Sequence, residues 1–234
     1  MSEDSIGITY SLTFDDGRTK EFAVYMDPDT LDLIPSRDAA PPDWAELEFR
    51  KCPNCPLDTE VHRFCPVAVN MEELIEFLKD LMSHDEVEVT VTTRERRYMR
   101  RTSLQSVGSS LMGIIMVTSG CPVLNKLRPM VETHLPFSTW EETVYRVVSM
   151  YLFGQFFKHK NGVPADWDLN GLVEIFDGIE TVNQSFCRRL DYIRTQDACV
   201  NAVNILSAMG SMTKMVVTDK DLSHWENIFM EHFG

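Results

Sequence analysis

No apolar run in this sequence is long enough to cross a bilayer. The longest, Leu111 to Thr118, falls far short of the roughly 20 residues that a spanning helix needs. Positive charge is also scarce: 22 Lys and Arg stand against 36 Asp and Glu, for a net charge of -14. Such a surface repels phosphates and anionic lipid, so neither membrane association nor nucleic-acid binding is expected. Met1-Ser2-Glu3-Asp4 lacks the basic start of a signal peptide, and the expected compartment is the cytoplasm. There is no P-loop, no dinucleotide glycine motif, no nucleophile elbow and no two-histidine zinc-protease motif. These absences set aside the commonest nucleotide-binding and hydrolase classes. Internal repeats and low-complexity tracts are missing too.

What is present suits a folded chain. A hydrophobic fraction of 44% over 234 residues is enough for a sizeable core. Ile6, Ile8, Tyr10, Leu12 and Phe14 alternate, Asp15-Asp16-Gly17 supplies a turn, and Phe22 to Met26 returns, which predicts a β-hairpin. Trp44 to Phe49 reads as a short strand leading into a cysteine loop, Cys52 to Pro66. Asn70 and Glu73 have capping-box spacing ahead of a helix whose apolar face is Leu74, Phe77, Leu78 and Leu81. Glu86 to Thr93 alternates as a half-buried strand, with Arg94 to Thr102 as its partner. Leu104 to Val117 fits a helix or a buried strand equally well. Thr139 and Glu142 form a capping box at the head of another helix. A long helix is expected from Asn170 to Arg194, on the seam Leu172, Ile175, Ile179, Val182 and Phe186. Two more are expected at Ala198 to Met212 and Asp219 to Phe233. The fold class is therefore α+β, with a β-rich N-terminal half carrying the cysteine loop (1–136) and a helical C-terminal half (137–234). No flexible linker marks that boundary, and one single domain fits as well.

The six cysteines are of two kinds. Cys52, Cys55, Cys65 and Cys121 are each followed by proline, whereas Cys187 and Cys199 are not and read as buried spectators. Proline fixes its own φ and pushes the preceding residue out of helical geometry. A cysteine so held presents its sulfur from a stiff loop, which suits a metal ligand. Cys52 and Cys55 have the two-residue gap of a metal-binding bite, Cys65 follows in the same loop, and Cys121 must be brought in by folding. A local group completed by a remote cysteine is closer to iron–sulfur ligation than to paired zinc knuckles, although it matches no standard ferredoxin spacing. An iron–sulfur cluster is accordingly favoured over zinc. Zinc has a local alternative in Cys52, Cys55, His62 and Cys65. A dithiol redox reading of Cys52-Pro53-Asn54-Cys55 lacks the helix that should follow it.

Lys51-Cys52-Pro53-Asn54-Cys55-Pro56-Leu57, Cys65-Pro66-Val67-Ala68-Val69-Asn70, Ser119-Gly120-Cys121-Pro122 and His134-Leu135-Pro136-Phe137 together resemble an uncharacterised bacterial protein family. The resemblance covers most of the chain. It implies a bacterial cytoplasmic origin and carries no activity.

Two further features stand out. Arg94, Arg96 and Arg100 alternate as an anion-binding stripe, against the plainer reading of a solvated edge strand. His134 precedes a helix and is a candidate ligand or base, against the plainer reading of a structural hydrogen-bonding group. Asp166 and Asp168 read as helix capping. The leading expectation is a metal-binding protein for electron transfer or sensing, with a redox or other protein partner. One alternative is a structural-zinc interaction protein that oligomerises or docks through its C-terminal helices. Another is an enzyme with a pocket between the two halves, or a thiol redox protein.

Overall fold

The structure is a computed structural model that describes residues 5–35, 40–193, 197–219 and 221–233. It is an α+β fold. Strands β1 (Ile6–Thr13), β2 (Thr19–Met26), β3 (Glu86–Thr92) and β4 (Arg97–Ser103) form one antiparallel sheet in the order β2-β1-β3-β4. The register follows from alternation. Tyr10 pairs with Phe22 on one side and Val91 on the other, and Leu12 pairs with Val89, so one face of the central strands is apolar, with Lys20 and Arg100 at its outer strands.

Helices α1 (Pro66–Leu78) and α2 (Leu104–Thr118) pack together, and α2 also contacts β3 and β4. Helices α3 (Trp140–Lys160), α4 (Asn170–Ile193) and α5 (Asp197–Asp219) follow, then the short α6 (Ser223–Ile228). Helix α5 packs on α2, α3 and α4. A single buried cluster runs from Ile8 to Val217, so the core is continuous across residue 136. No helix among the described residues is long and apolar enough to cross a membrane. On its outer side α3 leaves Phe153, Phe156 and Phe157 exposed.

Several local expectations change. Trp44 to Phe49 is a 3-10 turn at Asp43–Ala45 followed by one isolated bridge, Glu46 to Phe64. The buried Arg189 side chain explains why: it donates to the Trp44 and Glu46 carbonyls, which a strand would have given to a neighbouring strand. Helix α1 begins at Pro66, with Cys65 as its N-cap, rather than near Asn70. Asn70 instead donates to the Pro66 carbonyl at 2.8 Å, and Glu73 pairs with Lys20 at 2.8 Å. Pro66 is the better start signal, because the first helical turn has no use for its missing N–H.

Leu104 to Val117 is helical. The Thr139–Glu142 capping box forms as expected. Helix α4 matches its expected start and seam, and the expected end at Arg194 lies outside the described residues. Helix α5 runs on to Asp219, and the last expected helix is reduced to α6 and a 3-10 turn, Met230–Phe233.

Candidate functional site

Cys52, Cys55, Cys65 and Cys121 line one small cavity of about 20 Å³. Three local devices deliver them. The loop carrying Cys52 and Cys55 closes through the Cys55 N–H to the Cys52 carbonyl, at 3.0 Å. Asn54 within that loop donates to the Gly178 carbonyl of α4 at 2.9 Å, and Lys51 Nζ holds the Leu57 carbonyl. Cys65 stands at the head of α1, its N–H bonded to the Ala45 carbonyl at 2.8 Å. Cys121 follows the end of α2. Gly120, at φ 91°, turns the chain there through the left-handed region where a side chain would be strained. Helix α4 closes the cavity with Val182, Ser185, Phe186 and Arg189.

The electrostatics of this cavity are unusual for so acidic a chain. Among the described residues its wall carries Arg50, Lys51 and Arg189 and no carboxylate. Arg189 is 2% exposed. Burial pulls its pKa down, and the neighbouring Cys65, Cys52 and Cys55 work against that. Burial pushes the Cys52 thiol up to about 11, opposed by a hydrogen bond with Ser185 and reinforced by the other three cysteines. Burial raises Cys121 as well, while the backbone N–H groups of Leu124 and Val123 favour its thiolate. Amides aimed at a sulfur stabilise its charged form, which is the form that binds a metal. Among the described residues, no three His, Cys, Asp or Glu side chains stand close enough together to hold a single metal ion as placed.

His62 is exposed on a turn and does not line the cavity. Cys187 is half-buried on α4, its thiol also raised by burial, and Cys199 is fully buried on α5; neither lines the cavity. Asp166 accepts hydrogen bonds from the Gly171 N–H at 2.7 Å and the Tyr151 hydroxyl at 2.8 Å, which fixes the start of α4.

The arginine stripe divides. Arg94 and Arg96 lie in the β3–β4 turn, Arg94 on the surface 4.0 Å from Glu95. Arg100 is in β4 opposite Val89, on the core-facing side, and lines a second chamber of about 490 Å³. His134 lines the same chamber, with Tyr10 Oη 2.8 Å from its Nε2. The residues that sequence reasoning missed are Arg189, Ser185, Arg50 and Lys51 at the cysteines, and Arg146 and Asn183 at the chamber. Arg189 carried a signal: it continues the three-and-four seam beyond Phe186, at a position where an apolar residue is expected.

Searches of curated proteins and of solved structures find no match. A family model described as "Domain of unknown function (DUF6901)" matches residues 8–230, a span that takes in the sheet, all four cavity cysteines and the helices. The chain therefore belongs to the DUF6901 family.

Proposed function

We propose that Cys52, Cys55, Cys65 and Cys121 hold an iron–sulfur cluster and that the protein carries electrons or senses redox state. The observation that carries this reading is the convergence of four cysteines from three separate segments on one cavity whose charged side chains, among the described residues, are all cations. Any metal centre built on four thiolates has a net negative charge, and Arg50, Lys51 and Arg189 complement it. The two N–H groups directed at Cys121 support the same charge state.

The order of the cysteines along the chain, a local group completed by a remote one, favours a cluster over zinc. The cysteines surround about 20 Å³, room for about one water, so a cluster would have to spread the loops that carry them. A cluster supplies one-electron chemistry. The chain itself supplies thiolates from stiff loops and positive charge beside them.

Anaerobic purification with iron, sulfide and zinc analysis tests the reading. The expected product is a brown protein that contains iron and acid-labile sulfide and bleaches on reduction, and Cys121→Ser should lower its iron content sharply. A colourless protein carrying zinc, or one with no metal after anaerobic handling, would overturn the cluster. Iron content unchanged in Cys121→Ser would remove that cysteine from the ligand set.

A further inference from the structure

The larger chamber is a separate site. It is lined by β4, α2, α3, α4, α5 and the segment 124–139 and opens to solvent. Its volume of about 490 Å³ lies in the range of small-molecule sites. Much of its wall is apolar, with Leu127 from the segment after α2, Phe176 from α4, and Leu206 and Met209 from α5. A chamber of this size lined by hydrocarbon selects an apolar body.

Its charged groups select the other end. Among the described residues Arg100 and Arg146 are the cations in the wall, and neither Asp nor Glu contributes to it. Arg146 uses one nitrogen, Nη2, to hold the Met130 and Thr133 carbonyls at 2.9 and 2.7 Å, which fixes the guanidinium in place. Its Nε–H is buried and has no hydrogen-bond partner among the described residues. The Arg100 guanidinium sits 5.9 Å from the ring centroid of Phe137, which also lines the chamber. Phe137 itself holds a left-handed backbone at φ 59°, and Ser138 and Thr139 beside it also line the wall.

Asn183 is 3% exposed and lines the chamber from α4. The buried Arg146 Nε–H is the donor left unsatisfied, which is costly, so it marks a place where a bound molecule supplies the partner.

We infer that this chamber binds a small amphipathic carboxylate, with its acid group on Arg100 and Arg146 and its apolar body against Leu206, Met209 and Phe176. The inference stands apart from the cysteine centre and does not need it. The unpaired Arg146 Nε–H and the positive charge of the exposed Arg100 read a carboxylate, whereas an alcohol of the same length satisfies neither charge.

Decanoate and decanol are the probes, titrated calorimetrically into the full-length protein. Saturable binding of decanoate at least tenfold tighter than decanol is expected. Arg146→Met and Arg100→Met should each weaken decanoate roughly tenfold and leave decanol unchanged, the loss of a charge-assisted bond. Because Arg146 also braces two carbonyls, Gly210→Leu provides a second variant. Gly210 lines the chamber from α5, and a Cβ there meets Phe176 at an ordinary 3.5 Å, so the longer side chain fills the space from a helix that tolerates it. Gly210→Leu should keep the native circular dichroism and lose decanoate. Absence of saturable decanoate binding, equal binding of decanol, or full decanoate binding by Gly210→Leu would each overturn the inference.

Discussion

His134 is buried against Tyr10, whose hydroxyl lies 2.7 Å from Ser110 Oγ and 2.8 Å from His134 Nε2. The arrangement that satisfies all three groups has Tyr10 donating to Nε2 and Ser110 donating to the phenol, which keeps the imidazole neutral. Burial, and then the positive charge of Arg146, lower its pKa from 6.5 to about 4. The unfolded chain therefore takes up a proton first as pH falls. The stabilisation is full above 6.5 and is lost on descending to 4, a contribution of about 3 kcal/mol. The urea midpoint should drop between pH 7 and pH 4.5 in the wild type and much less in His134→Gln. Arg189 makes a second residue-scale case. Arg189→Leu strands the Trp44 and Glu46 carbonyls and should cost about 2–4 kcal/mol in urea unfolding. Arg189→Lys, which keeps charge but not the fork, should recover only part of that. The Cys-Pro pairs were legible because proline acts on its own neighbour, within one residue. Arg189 was not, because its carbonyl partners lie more than a hundred residues away in the chain.

At the scale of elements, local chemistry set boundaries wherever it could act alone. The hairpin turn and the Thr139–Glu142 box needed only neighbouring residues, and both form. The Asn70–Glu73 pair looked like the same device but is claimed by Pro66 and Lys20. Helix α2 was ambiguous for a different reason. Val107, Leu111, Met112, Ile114, Ile115 and Met116 are all buried, so no polar face marks the helical period. The join of α3 to α4 shows how tightly these elements meet. A Cβ on Gly171 would lie 2.4 Å from the Tyr151 hydroxyl, which is itself held by Asp166. Gly171→Ala must push that phenol away and break its bond, at an expected cost of about 1–3 kcal/mol. A thermal unfolding curve no lower than wild type would show that α4 can shift to make room. Gly171→Ala combined with Tyr151→Phe should lose less than the two separate costs added together, since both act on one hydrogen bond.

Over the whole molecule, the division at residue 136 describes composition better than it describes packing, because the buried cluster passes from the sheet through α2 into α4 and α5. The last strand ends at Ser103 and α2 already lies before residue 136, so no core ends at that boundary. The same continuity explains why the large chamber could only be suggested as lying between the halves: its wall draws on six separate parts of the chain. Helix α4 stands between the two cavities. Ile179 and Asn183 face the larger one, while Val182, Ser185, Phe186 and Arg189 face the cysteines. After Cys121, Val123 and Leu124 divide the same way. It is a party wall, and what leans on one side is felt on the other. Saturating decanoate should therefore move the midpoint potential of the proposed centre, and reducing that centre should change decanoate affinity by the matching factor. A potential that ignores decanoate would mean a partition too stiff to bend, with each room keeping its own business.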